Sequence, residues 1–242
     1  MPINILILAA GGTANDPDLD EYPLCLTEVG GGSVLERIVL NTSNLIGAKY
    51  AFAILSKDAD NYHLDKVADI LVPGATVVRV PENTKGSACT ALLAAANLDQ
   101  DAELLIISAN EIVDVDLQPV IEDFRGRLLD AGTLIFKSIH PRYSYVRLSH
   151  EGYVVEAAQR KPISNHATAG IFWFRNTSDF VAASMDSIRK DTRVLDKFFV
   201  APTFNQLILQ HQKIGVWNLD TELYHPLKTD KQLQKFEGGS SL

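Results

Sequence analysis

The chain has 242 residues, 46% hydrophobic and 21% charged, enough to bury a large core within one α/β domain. Its 22 basic and 30 acidic residues give a formal net charge of -8, which argues against a sequence-independent grip on nucleic acid, since that needs clustered Lys and Arg. A small phosphorylated ligand stays compatible, because backbone amides and one or two local cations can hold a phosphate inside an acidic protein.

In chain order, Met1-Pro2-Ile3-Asn4 has no basic region ahead of its apolar run, and the run Ile3 to Leu8 is only a strand's length. Neither a signal peptide nor a membrane span is expected. Ser33-Val34-Leu35-Glu36 reads as a capping box opening a helix to about Ile46. Strands are expected at Ala51 to Leu55, Thr76 to Val80 and Leu104 to Ser108, with helices at Tyr62 to Leu71 and Ser87 to Asn97. Asp116 is placed to cap a helix from Leu117 to Asp130. This alternation is the pattern of βαβ units and a mostly parallel sheet.

Past Gly132 the texture becomes antiparallel: Leu134 to Ser138, Ser144 to Leu148, a Glu151-Gly152 turn, Tyr153 to Ala157, and Ala169 to Phe174. Helices at Ser178 to Lys190 and Pro202 to Gln212 precede a last strand at Ile214 to Leu219. Cys25 and Cys89 offer neither a disulfide framework nor zinc spacing, and read as reduced thiols of a cytoplasmic protein. Residues 1–236 are taken as one domain and 237–242 as a polar tail.

In Leu8-Ala9-Ala10-Gly11-Gly12-Thr13-Ala14-Asn15 a strand ends in small residues whose amides can approach a phosphate, although a plain tight turn would look the same. The segments downstream of this loop sharpen the reading. Tyr22-Pro23-Leu24-Cys25-Leu26 leads through Gly30-Gly31-Gly32 into the helix at Ser33. Further on come Glu82-Asn83-Thr84-Lys85-Gly86-Ser87-Ala88, Ser108-Ala109-Asn110-Glu111-Ile112-Val113-Asp114, Arg160-Lys161-Pro162 through Thr168-Ala169-Gly170-Ile171, and Phe199-Val200-Ala201-Pro202-Thr203-Phe204-Asn205. In this order the blocks resemble the sugar-phosphate nucleotidyltransferases, in particular their cell-surface and capsular polysaccharide branch.

The resemblance implies a single GT-A-like, Rossmann-like α/β/α domain with a mostly parallel central sheet and a small antiparallel flap. It implies transfer of a nucleotidyl group from a nucleoside triphosphate to a sugar phosphate, with Mg²⁺ shielding the phosphates, so that catalysis rests on placed cations and a carboxylate-held metal. Nucleotide contacts would fall on Ala9, Ala10, Gly11, Gly12, Thr13, Asn15, Glu82, Thr84, Gly86 and Ser87. Acceptor contacts would fall on His140, Arg160, Lys161, Thr168, Gly170 and Asn205, with Lys161 the acceptor-phosphate lysine and Arg160 where the family has Glu.

Three departures bear on activity. Asn15 stands about where the family has Arg, Leu24 where it has Lys, and Asn110 where it has the metal Asp. Losing one such preorganised charge typically costs roughly a hundred- to a thousandfold in rate. Glu111 is adjacent and able to turn inward, and Asp114 with Asp116 forms an Asp-x-Asp pair, although Asp116 as a helix cap and Asp114 as a solvated turn residue is the reading such a pair more often has. Lys57 and Lys85 are substitutes for the lost cations or simply solvated surface. His140 and His166 have no sequence-adjacent partner for nucleophile activation, and Asn205 lines the cleft or anchors a loop.

Three functions remain open: a nucleotidyltransferase serving surface polysaccharide synthesis, a nucleotide- or partner-binding pseudoenzyme, and a glycosyltransferase using Asp114-Val115-Asp116 for its metal. The expected ligand is a nucleoside triphosphate or nucleotide sugar, with no nucleic acid polymer and no membrane; a homo-oligomer is left open.

Overall fold

A computed structural model of the chain describes residues 1–11 and 22–227. The first half runs β1 (Ile3–Leu8), β2 (Glu28–Val29), β3 (Gly32–Ser33), α1 (Val34–Thr42), β4 (Ala48–Leu55), α2 (Ser56–Tyr62), α3 (Leu64–Leu71), β5 (Thr76–Val80), α4 (Ser87–Ala95), β6 (Glu103–Ser108), β7 (Glu111–Val113) and α5 (Leu117–Gly126). The second half runs β8 (Ala131–Lys137), β9 (Ser144–Leu148), β10 (Val154–Gln159), β11 (His166–Phe174), α6 (Thr177–Arg189), α7 (Val200–Leu209), β12 (Ile214–Asn218) and β13 (Tyr224–Pro226).

All six residues of β1 are buried, as expected of a parallel strand covered on both faces. Its alternating side chains define the layers. Ile3, Ile5 and Ile7 pack with Val34, Leu35 and Ile38 of α1, Leu64 of α3, and Val120 and Phe124 of α5. Leu6 and Leu8 pack on the other face with Ala91 and Ala95 of α4, Phe180 of α6, and Phe204 and Leu207 of α7. The result is a single α/β domain in three layers.

The central sheet is mostly parallel where the sequence alternates strand and helix. β1 lies between β4 and β6, with Leu8 opposite Ala53 on one side and Ser108 on the other, and β5 extends the run beyond β4. β11 then runs antiparallel to β6, β8 antiparallel to β11, and β12 parallel to β8. The β9–β10 hairpin joins the start of β11, with Ala167 opposite Tyr145. Two small antiparallel sheets, β2–β3 and β13–β7, complete the fold. Because β11 is antiparallel to β6, its first residues stand at the edge where β1 and β6 end. That edge carries the candidate site.

The capping box is present, with Glu36 N–H donating to Ser33 Oγ at 3.1 Å and Ser33 N–H to the Glu36 carboxylate at 3.3 Å. The helix it opens stops at Thr42 rather than Ile46. There the Thr42 hydroxyl donates back to the Ile38 carbonyl at 3.0 Å and the Ser43 hydroxyl to the Leu40 carbonyl at 2.7 Å, so local side-chain bonds compete with another turn. The helix after Asp116 ends at Gly126 rather than Asp130, with Leu128 in the left-handed region. Tyr62 to Leu71 is interrupted at His63, φ 53°, where α2 ends and α3 begins. No helix of the described residues is long and apolar enough to cross a membrane.

Candidate functional site

At the strand-end edge the first loop is partly spent on the sheet. Ala9 is buried and its N–H donates to the Ala53 carbonyl at 2.9 Å, while Ala109 N–H closes the other side onto Leu8 at 3.0 Å. Ala10 is half-buried and Gly11 exposed at the rim, and a Cβ on Gly11 would meet nothing within 4 Å. Gly12, Thr13 and Asn15 lie outside the described residues. Leu24, expected from the resemblance to stand in place of a lysine, is 3% exposed in a 3-10 turn, Leu24–Leu26, and its side chain belongs to the core.

The second nucleotide segment is shaped by a close approach of two chains. Gly86 sits at φ 103°, and a Cβ there would come within 2.3 Å of the Phe198 carbonyl oxygen, so both its dihedral and its space demand glycine. Phe198 N–H donates to Lys85 O at 2.7 Å and Ala88 N–H to Phe198 O at 3.1 Å. One amide of the α4 N-terminus is therefore taken by the protein's own carbonyl. Thr84 accepts from the Thr90 hydroxyl at 3.0 Å, Ser87 is the first residue of α4, and Glu82 is exposed and pairs with Lys57 at 3.5 Å.

Asn110 follows β6, and its side-chain oxygen is buried with no hydrogen-bond partner among the described residues. Its backbone carbonyl accepts from Leu227 N–H at 3.2 Å. Glu111 does turn inward: it is 7% exposed, takes a short hydrogen bond from the Tyr224 hydroxyl and lies against Gly170. Gly170 adopts φ 69° in the bulge of β11, and a Cβ there would stand 2.0 Å from a Glu111 carboxylate oxygen. Burial, with Glu111 beside it, holds the Tyr224 hydroxyl far above its ordinary pKa, so it remains a donor. Tyr224 also stacks on Phe136, centroids 4.0 Å apart. Glu111 thus borders a recess between α1, β7 and the sheet, lined also by Asn41, Thr42, Ile107 and Ile171, with room of about 20 Å³, enough for one water.

Asp116 is a helix cap, accepting from Gln118 N–H at 3.0 Å, and Asp114 pairs with His225 at 3.0 Å. Among the described residues no three His, Cys, Asp or Glu side chains stand together as a metal site. For Mg²⁺ this leaves one neutral orphan oxygen, Asn110 Oδ1, beside a carboxylate held by Tyr224 and another held by His225. That donor set lacks the carboxylate charge Mg²⁺ binding ordinarily uses. The implied ion does not fit the described residues.

On the β8–β11 side, Lys161 is exposed and Arg160 sits at φ 56° with its N–H donating to Tyr143 O at 2.9 Å. His140 Nδ1 accepts from Arg142 Nε at 3.2 Å, and the His140 carbonyl accepts from the Tyr145 hydroxyl at 2.5 Å. His166 Nε2 lies 2.9 Å from Lys137 Nζ. Burial, then the Lys137 charge, lowers the His166 pKa, so the imidazole is neutral and accepts from the ammonium. Thr168 is buried in the β11–β8 ladder. Asn205 spends both ends of its amide on Ala157, accepting from its N–H and donating to its carbonyl at 2.8 Å each. It ties α7 to β10.

The structure therefore gathers Lys161, Arg160 and His140 at one edge, and adds Lys137, Arg142 and His166. Tyr224, the partner of Glu111, is 113 residues away in sequence and carried no local signal. Lys137 and Arg142 did carry one, since residues 137–145 and 157–168 contain no Asp or Glu. Burial pushes Cys25 up to about 12, with Asp58 adding to the effect, and burial also raises Cys89, so both favour the thiol over the thiolate.

No protein-family model matches the sequence, and no curated protein matches it significantly. Solved structures do match over essentially the whole fold. A nucleoside-diphosphate-sugar pyrophosphorylase from Vibrio cholerae RC9 superposes with TM-score 0.77 at 14% identity, covering 96% of this chain and 99% of its own. A UDP-glucose pyrophosphorylase complexed with UDP-glucose gives TM-score 0.78 at 12% identity over 99% and 98%. The inositol-1-phosphate CTP transferase from T. maritima gives 0.71 at 12% over 99% and 98%. The chain has the α/β fold of these nucleotidyltransferases.

Proposed function

We propose that this protein is a nucleotidyltransferase-like protein that binds a nucleoside triphosphate or nucleotide sugar where β1, β4, β5 and β6 end, and passes the nucleotidyl group to a sugar phosphate held at the β8–β11 side. Surface polysaccharide synthesis is the role the sequence resemblance implies. The observation that carries the reading is the fold likeness over 99% of this chain and 98% of a pyrophosphorylase solved with its nucleotide sugar. Ligands in open parallel sheets bind outside the carboxyl ends of the strands. Here that edge offers Ala10, Gly11, Glu82, Thr84, Gly86 and Ser87 on one side, and Lys161 with Arg160 on the other.

The chemical step is attack of an acceptor phosphate oxygen on the α-phosphate of the triphosphate, expelling pyrophosphate. Lys161 and Arg160 orient the acceptor phosphate and hold its charge. The test is pyrophosphate release from each of the four common triphosphates against a sugar-1-phosphate panel with Mg²⁺ or Mn²⁺. Turnover with one pair sustains the reading, and silence across the grid with nucleotide binding intact defeats the transfer step.

A second reading, a nucleotide-binding protein that has lost the transfer step, is favoured by one local observation. Asn110 is neutral and Glu111 is held by Tyr224, so the described carboxylates do not gather where a metal would sit. Under that reading nucleotides raise the melting temperature by mass action, yet no pyrophosphate forms. Brisk turnover by the unaltered protein rules it out.

A further inference from the structure

Seven of the eight arginines other than Arg142 and Arg160 pair with a carboxylate: Arg79, Arg125, Arg127, Arg147, Arg175, Arg189 and Arg193. The eighth, Arg37, donates to the Val29 and Gly30 carbonyls. Arg142 and Arg160 are different. Neither forms an ion pair among the described residues, and neither do Lys137 and Lys161. All four stand at one edge. Lys137 ends β8 and faces His166 across the ladder, Arg142 precedes β9, and Arg160 and Lys161 follow β10, tied to Tyr143 through Arg160 N–H.

In a chain of net charge -8, placing four cations together with no ion-pair partner among the described residues concentrates positive potential. Other observations point the same way. The Lys137 to His166 contact places an ammonium beside an imidazole instead of a carboxylate. The near carboxylate, Glu111, is buried and bonded to Tyr224. A single phosphate is matched by two cations, and this edge supplies twice that.

We infer that the β8–β11 edge binds an acceptor carrying two anionic groups, a phosphate and a second acidic group, with Lys137 and Arg142 reading the second. The inference rests on the proposed function only in calling that ligand the acceptor; the anion site itself stands on the unpaired cations. The second group is a carboxylate or another phosphate, two chemistries the same guanidinium and ammonium groups recognise.

The test is calorimetric titration of the full chain, without nucleotide and at fixed ionic strength, with glucose 1-phosphate, glucuronic acid 1-phosphate and glucose 1,6-bisphosphate. At least one of the doubly acidic ligands is expected to bind about ten- to a hundredfold tighter than glucose 1-phosphate, the scale of one charge-assisted contact. Their relative order tells carboxylate from phosphate. The Lys137→Gln, Arg142→Gln double variant is expected to erase that advantage while glucose 1-phosphate binds as before. Equal affinity for all three, no binding of any, or an unchanged preference in the double variant overturns the inference. The wild-type ranking decides even if the variant folds poorly. Tight doubly acidic binding with no nucleotide binding sinks the proposed function and leaves the anion site standing. Nucleotidyl transfer with three equally bound acceptors does the reverse.

Discussion

The two sides of the strand-end edge hold their charges in opposite ways. Next to β6 the carboxylates have partners within the chain: Glu111 is buried under Gly170 with Tyr224, while the exposed Asp114 pairs with His225 and the exposed Asp116 caps the α5 N-terminus. Next to β8 and β10 the cations Lys137, Arg142, Arg160 and Lys161 meet no described carboxylate. A charge satisfied inside the chain fixes architecture, because an unpaired buried charge is costly to the fold. A charge left at an edge contributes little to folding and keeps its full field for an anion arriving from solvent. Glu111 therefore stabilises the site's wall, and the cationic side is where specificity should be sought.

The comparison can be broken most sharply at Gly170. Gly170→Ala forces an L-residue at φ 69° and drives a methyl into Glu111, and should cost about 3 kcal/mol or more in urea unfolding. A loss under about 1 kcal/mol would mean that the Glu111 side chain swings aside freely. Next in size, Tyr224→Phe removes a hydroxyl donor from the buried Glu111 carboxylate and should cost about 1–3 kcal/mol by the same measurement. No loss would show that the carboxylate is equally content with other partners.

Asn110→Asp sharpens the comparison by adding a carboxylate where a buried oxygen has no described partner. It is expected to create Mg²⁺-dependent stabilisation by nucleotide of about 1.4 kcal/mol at ten times Kd, read as a thermal shift with and without Mg²⁺. An identical shift in both conditions would exclude this position as a metal point. Asp114→Asn breaks a half-exposed pair with His225 and should change stability by less than about 1 kcal/mol. Donor affinity is expected to stay unchanged, and its loss would instead revive a glycosyltransferase-type use of Asp114.

The smallest effect concerns His166. Its folded pKa is lowered by burial and by Lys137, so the fold prefers the neutral ring. The contribution to stability is full above the ordinary histidine value of about 6.5 and is lost as pH falls below it toward the folded value. Lys137→Gln should move the His166 titration upward in NMR and shrink the acid-side loss. An unmoved titration would leave burial as the whole cause.

Much of the fold was legible locally. The strand at Thr76 to Val80, the capping box at Ser33 and the cap at Asp116 appear where the sequence places them, because strand patterning and capping are short-range chemistry. Helix ends were less legible: Thr42 and Ser43 turn their hydroxyls onto the preceding carbonyls, and His63 breaks a helix that periodicity alone would continue. The short strands β7 and β13 were missed because neither makes sense without the other, and their pairing joins Glu111–Val113 to Tyr224–Pro226 across the domain.

The sequence by itself determined βαβ units and a mostly parallel sheet, through buried strands alternating with amphipathic helices, and marked the substitutions Leu24 and Asn110 against the family it resembles. It also contained the carboxylate-free stretches around Arg142 and Arg160. Only the tertiary structure decided what these residues do. It buried Leu24 in the core, gave Glu111 to Tyr224 and Asn205 to Ala157, and aligned the ends of β8 and β10 with the starts of β9 and β11 so that their cations share one edge. The physical reason is range: capping and periodicity act over a few residues, whereas the partner of a charge is set by which distant strands the sheet brings side by side.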